Sequence, residues 1–308
     1  MILVEILLLA VGFIMLMKGA DWFVEGSAGI AKKMGIPQLV IGLTIVAMGP
    51  SAPEAAVSIN ASLKGNAGIA IGNVVGSNIL NILIILGISS VLATIAIQKS
   101  TFCYEIPFMI FVTVVLIALG MTGEYVTRME GVILWVLFIV YLLYLFRLAK
   151  KGTQEEETED RPIWKLLIYM VTGGVLVVWG SDVTVDSATA IAQVIGLSER
   201  FIGLTIVALG TSLPELITSV VAARKGNADI AIGNIVGSNI FNILFVVGLS
   251  ALIVPIPFAA GFIVDFIVAA VAGVLLILFC FRKQKLPRVA GFVFLLAYAG
   301  YFVYLLYQ

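Results

Sequence analysis

The chain has 308 residues, 61% of them apolar and 12% charged, with mean hydropathy +1.16 and 18 basic residues balancing 18 acidic ones. A soluble domain carries about 25% charged residues, so a globule of this composition lacks the polar surface to cover itself, and we read a membrane protein. Zero net charge excludes a basic field for nucleic acid. The absence of histidine removes imidazole-activated nucleophiles, imidazole zinc sites and histidine proton relays.

A membrane span needs about 20 apolar residues. That window predicts ten spans, near residues 3–28, 36–62, 68–94, 104–121, 130–149, 163–192, 198–222, 229–254, 259–281 and 289–306. The opening MILVEILLLAVGFIMLMKG has no basic leader region and no small-residue cleavage site, so it is read as a first span. Cys103 and Cys280 stand alone in apolar stretches and are read as lipid-facing or core packing residues. The longest polar stretch runs from Arg147 to Pro162, and its acidic run of Glu155, Glu156, Glu157, Glu159 and Asp160 is read as an extended, solvated linker. The expected fold is all-α and integral to the membrane, with five helices in 1–149, a short linker 150–162 and five in 163–308.

Orientation follows from the basic residues. With the N-terminus outside, inner loops hold 14 of the 18, outer loops hold only Lys64, Arg128 and Arg200, and Lys18 lies within the first span. Losing one span would scramble this partition. We therefore expect a plasma-membrane protein with both termini outside and the linker in the cytoplasm.

The chain repeats itself. GLTIVAMGPSAPEAAVS from Gly42 matches GLTIVALGTSLPELITS from Gly203, and GNVVGSNILNIL from Gly72 matches GNIVGSNIFNIL from Gly233. Both matches have an offset of 161, and 29 of the 42 aligned positions are identical without a gap. The same offset aligns Asp21 with Asp182 and Glu25 with Asp186. Five spans per half is an odd number, so the second copy enters the membrane from the opposite side. Inverted repeats are a transporter architecture, with the substrate near the midplane between the halves.

The duplicated polar residues carry the chemistry. Ala47, Ser51, Glu54 and Ser58 lie along one helical face of the second span, and Ala208, Ser212, Glu215 and Ser219 along that of the seventh. A carboxylate inside a membrane costs about 3 kcal/mol or more and marks an ion or proton pathway. Proline frees the carbonyl four residues earlier, so Pro53 should free Gly49, Pro214 should free Gly210, and Pro50 should free Val46. Freed carbonyls in lipid belong where they line a cavity or meet a ligand. In the third and eighth spans Asn73, Ser77 and Asn81, and likewise Asn234, Ser238 and Asn242, share a face, while Asn78 and Asn239 point elsewhere, toward neighbouring helices. Gly72/Gly76 and Gly233/Gly237 are small-residue pairs that permit close helix packing. Together these groups form an all-oxygen site suited to hard cations.

GPSAPE with GNVVGSNILN, and GTSLPE with GNIVGSNIFN, resemble the two alpha-repeats of the cation/calcium antiporter superfamily, most similar to its prokaryotic sodium/calcium exchangers. The resemblance implies ten helices, an external N-terminus and calcium held between Glu54 and Glu215. It further implies backbone oxygens from Ala47, Pro50, Ala208 and Thr211, hydroxyls from Ser51, Ser77, Ser212 and Ser238, and side-chain oxygens from Asn81 and Asn242. Two positions depart from the family pattern: Pro50 replaces the usual threonine, as in Thr211, which weakens one sodium site, and Asn242 stands where some exchangers carry aspartate. The expected activity is sodium/calcium antiport by alternating access, with the first and sixth spans moving past a four-helix core by family analogy. The alternatives are a proton/calcium antiporter, a cation channel and, more remotely, a membrane enzyme using Ser51 or Ser212. Expected partners are the bilayer, calcium and sodium. We expect no cofactor, no enzymatic activity and no nucleic acid, in a chain that works as a monomer.

Overall fold

A computed structural model describes residues 2–65, 67–151, 161–194, 210, 212–258 and 260–307. Helix α1 (Ile2–Met34) is followed by α2 (Gln38–Ile41), a π-helical turn (Gly42–Val46) and α3 (Ala52–Leu63). Next come α4 (Ala67–Leu80), a π turn (Asn81–Leu86) and α5 (Gly87–Leu92). A π turn (Thr101–Glu105) leads into α6 (Ile106–Met121), followed by α7 (Arg128–Lys151) and α8 (Ile163–Val194). After α9 (Leu213–Arg224) come α10 (Ala228–Phe241), a π turn (Asn242–Val247), α11 (Gly248–Ile253), α12 (Ala260–Cys280) and α13 (Arg288–Leu306). Eight of these continuous helices are long and apolar enough to cross a membrane among the described residues. This is a multi-pass helical membrane protein.

Burial divides the helices into an inner and an outer set. The helices of 67–92 and 228–253 are mostly buried, whereas α1, α7, α12 and α13 turn large apolar side chains outward, among them Leu3, Ile14, Val136, Leu278 and Leu296. In a bilayer that outer surface meets lipid, so the inner pair can carry polar residues.

The hairpin ends are tied by two-residue strands. β1 (Ile95–Ala96) pairs antiparallel with β4 (Lys285–Leu286), with Ile95 opposite Leu286, and β2 (Tyr125–Val126) pairs with β3 (Ile256–Pro257), with Val126 opposite Ile256. Each ladder joins one half of the chain to the other. Gln98 beside the first ladder also donates to Asp229 at 2.6 Å, and Arg128 beside the second donates to the carbonyl of Ile253 at 3.2 Å.

α1 and α8 pack backbone to backbone. A Cβ on Gly12 would lie 2.9 Å from the Thr184 nitrogen, one on Gly19 would lie 2.8 Å from that of Val177, and one on Gly26 would lie 2.5 Å from that of Met170. Numbers rise along one helix as they fall along the other, so the pair is antiparallel. Gly173 and Gly180 of α8 face α1 as closely. Only glycine permits this approach.

Candidate functional site

The second-span segment is not the continuous helix expected over 36–62. It breaks at 49–51, because Pro50 and Pro53 withhold two backbone donors. Pro53 then falls in the first turn of α3, where a missing N–H is harmless. Glu54 consequently sits in the first turn of a new helix, whose partly positive N-terminus favours a carboxylate. In the second copy Ser212 precedes α9, Pro214 lies in its first turn, and Glu215 holds the matching place.

These two starts face each other across the repeat. Ser51 Oγ donates to Glu215 Oε1 at 2.7 Å, and Ser212 Oγ donates to Glu54 Oε1 at 3.3 Å. Neither serine caps its own helix. Glu54 and Glu215 are each 1% exposed, and the second oxygen of each, Oε2, has no hydrogen-bond partner among the described residues.

Asparagines of α4 and α10 extend the crossed pattern. Asn81 donates its amide to Asn239 Oδ1 at 2.8 Å, and Asn242 donates to Asn78 Oδ1 at 3.1 Å. Asn78 and Asn239 in turn donate to each other's main-chain carbonyls at 3.3 and 3.2 Å. With their NH₂ groups engaged, Asn81 and Asn242 are left with Oδ1 buried and unpartnered. Both residues open a π turn, a distortion common at functional sites. Glu54 Oε2, Glu215 Oε2, Asn81 Oδ1 and Asn242 Oδ1 thus have no partner among the described residues, and neither does Asn234 Oδ1. Unpaired buried acceptors are costly and call for a positive partner.

The other expected ligands have mixed outcomes. Ser77 and Ser238 are buried, and Ser238 Oγ donates to the Ala47 carbonyl at 3.1 Å. Pro50 is buried at the break. Ala208 and Thr211 lie outside the described residues. The amides of Asn73 and Asn234 are engaged on the carboxylate-bearing helices of their own copies. Asn73 donates to Ser58 Oγ at 2.9 Å and to the Glu54 carbonyl at 3.2 Å, and Asn234 donates to Ser219 Oγ at 2.7 Å and to the Glu215 carbonyl at 3.3 Å. They fasten the carboxylate-bearing helices to their neighbours.

Two of the three carbonyls expected to be free, those of Gly49 and Gly210, are taken. Gly49 O accepts the Ala52 N–H at 3.2 Å, and Gly210 O accepts Ser181 Oγ of α8 at 2.9 Å. The proline argument found the breaks but missed these local and distant donors. Close packing holds for Gly233 and Gly237, where a Cβ would lie 3.0 Å from Gly42 Cα and 2.7 Å from Ala47 Cβ. At Gly76 no described atom lies within 4 Å of that position.

The orienting roles of Asn78 and Asn239 were not foreseen beyond helix-to-helix bonding, although their 161-residue offset marked them as a pair. Ser181 had no such signal, since its counterpart at that offset is Ala20.

Comparison with known proteins identifies the family and the fold. Residues 4–147 and 165–307 match the family model described as sodium/calcium exchanger protein. The chain is 40% identical over 319 residues to CaxA of Alkalimonas amylolytica, named as an antiporter, with 99% of both chains covered. It is 33% identical over 351 residues to the sodium/calcium exchanger MaX1 of Methanosarcina acetivorans, with both chains fully covered. A solved structure of the sodium-calcium exchanger NCX_Mj superposes with a TM-score of 0.88 at 33% identity, over 99% of this chain and 100% of that one.

Proposed function

The chain belongs to the sodium/calcium exchanger family, a family of transporters, and from that premise we propose that it is a sodium-driven calcium antiporter and not an enzyme. The observation that carries the reading is the set of four unpartnered oxygens from two carboxylates and two amides. Calcium takes 6–8 oxygen ligands at 2.3–2.6 Å. Glu54, Glu215, Asn81 and Asn242 begin that shell, and Ser51, Ser77, Ser212 and Ser238 can turn hydroxyl oxygens toward the ion. Main-chain oxygens of Ala47 and Pro50, and of Ala208 and Thr211 by repeat symmetry, complete the proposed set.

Two carboxylates fix the exchange logic. One calcium, two sodium ions or two protons neutralise them, whereas an empty dianionic site is expensive to enclose in a low-dielectric interior. The carrier therefore changes sides loaded, and one ion leaves as another enters.

Ten crossings in two inverted halves, 1–149 and 163–308 around the linker 150–162, fit the strand pairings. β1 and β4 lie on one membrane face, so an even number of crossings separates them. α6, α7, α8, the α10–α11 helix and α12 supply five, so the chain between α8 and α10 must supply a sixth. The antiparallel α1 and α8 likewise need four crossings between them, which requires the α2–α3 segment to cross. Together with the charge bias, this favours a plasma-membrane chain with both termini outside.

The test is calcium uptake by purified protein in sodium-loaded liposomes diluted into sodium-free buffer, with pH equal on both sides. Uptake that collapses when choline replaces internal sodium is the expected result. Uptake driven only by an imposed pH gradient would replace sodium by protons as the counter-ion. Pro50, which cannot offer the hydroxyl that Thr211 has, is the specific reason to run that arm.

A further inference from the structure

Apart from Glu54 and Glu215, one fully buried carboxylate among the described residues sits in the helix wall. Glu105 closes the π turn that leads into α6 and is 1% exposed. Tyr144 OH of α7 donates to its Oε1, while Oε2 has no partner among the described residues. Tyr141, one turn earlier on α7, is 3% exposed, and its hydroxyl is also unpartnered.

Both residues line a cavity of about 430 Å³ between α6 and α7. Phe108 stacks on Tyr141 with ring centroids 5.5 Å apart, and exposed Tyr104, Phe111 and Val140 form the outer walls. The cavity thus combines a buried acidic acceptor, a buried hydroxyl and aromatic faces with a mouth on the lipid-facing surface. Exposed Lys99 stands just before the π turn that leads into α6, and exposed Arg147 follows Tyr144 by three residues, so positive charge stands at the same end.

We propose that this cavity binds the primary ammonium headgroup of a membrane aminophospholipid. The ammonium donates N–H groups to Glu105 Oε2 and the Tyr141 hydroxyl and gains from the aromatic faces. The phosphate lies toward Lys99 and Arg147, and the acyl chains follow the apolar wall. An acceptor left unsatisfied in a bilayer is costly, and an N–H-bearing cation on a hydrocarbon anchor is the group that reaches it from the lipid side. The other half repeats only part of this arrangement. Tyr301 OH donates to Asp265 Oδ1 at 2.8 Å, but the neighbouring cavity of about 280 Å³ is lined by Val264, Val268, Val271 and Tyr301 without the carboxylate.

Native mass spectrometry of the detergent-purified full chain tests this. Bound lipid is counted after titration with dioleoyl phosphatidylethanolamine, phosphatidylcholine or phosphatidylglycerol, which share acyl chains and differ in headgroup. Phosphatidylethanolamine should be retained about tenfold better than phosphatidylcholine, whose trimethylated nitrogen has no N–H. Glu105→Gln should abolish that preference, Tyr141→Phe should reduce it, and Asp265→Asn should leave it intact. Equal retention of the two zwitterionic lipids would mean that acyl chains alone fill the groove, and would overturn the proposal. Phosphatidylglycerol held best, and equally by Glu105→Gln, would assign binding to the basic residues and overturn it too. If Glu105→Gln does not fold, an unchanged preference in Tyr141→Phe is the overturning result.

Discussion

Around Glu54 and Glu215, side-chain hydrogen bonds cross from one copy of the repeat to the other, and the carboxylates and asparagines keep acceptor oxygens without a partner among the described residues. Along α1 and α8 the contact is glycine backbone on backbone, and charge gathers at one end: Lys225 lies 3.1 Å from Asp21 and 3.8 Å from Glu25, and Arg161 pairs with Glu25. The first region is a directional network, in which each donor has one place to go. The second is a smooth surface, matched in shape and sparse in directional bonds. The pair touches the network where the chain breaks, with the Phe23 ring 3.2 Å from a Cβ position on Gly49 and Ser181 bonded to the Gly210 carbonyl. In the proposed alternating access, a fixed cradle beside a smooth helix pair would separate the holding of ions from the movement.

That contrast can be broken at several strengths. The largest effect belongs to the cradle: Glu54→Gln or Glu215→Gln should lower calcium uptake in liposomes by about 100-fold or more, since an ionised ligand is worth about 3 kcal/mol. Wild-type flux in either variant would remove the carboxylates from the ion path. Next, Gly19→Leu should destabilise the α1–α8 pair by about 3 kcal/mol, because its side chain meets backbone that cannot move aside. Gly300→Ala, with nothing within 4 Å, should be silent in the same thermal unfolding assay.

Smaller changes sharpen the comparison. Asn239→Ala should weaken calcium affinity about tenfold without unfolding, because the Asn81 amide loses the acceptor that fixes its orientation; isothermal titration reads this directly. Ser51→Ala should cost more affinity than Ser212→Ala, given bonds of 2.7 and 3.3 Å, and equal losses would show that the asymmetry has no energetic weight. Lys225→Ala should change thermal stability by only about 0.5 kcal/mol, as a half-exposed ion pair does.

The eight long spans were legible because hydropathy is a property of whole segments. The carboxylates and asparagines were legible because duplication printed each of them twice. Amide orientation was not, since which end of Asn81 faces the centre depends on Asn239, 158 residues away in sequence. The carbonyl of Gly210 was misjudged for the same reason: Ser181 comes from another helix and is unmatched in the first copy. Gly12, Gly19 and Gly26, spaced by seven, offered a sequence signal for the α1–α8 contact, but glycine is common in membrane helices and the spacing gains meaning only once the partner is known.

The ladders joining β1 to β4 and β2 to β3 also bear on how the protein is made. A ribosome adds about 5–20 residues per second, so Ile95 waits roughly 10–40 s for Leu286 to be synthesised at that rate. For the greater part of that interval Glu54 is in the membrane without Ser212, and Asn81 without Asn239. The first half must therefore survive as an unfinished guest of the insertion machinery, shielded from lipid or held at its edge, until its mirror image arrives. Selection on the first copy acts on this waiting period as well as on the finished carrier.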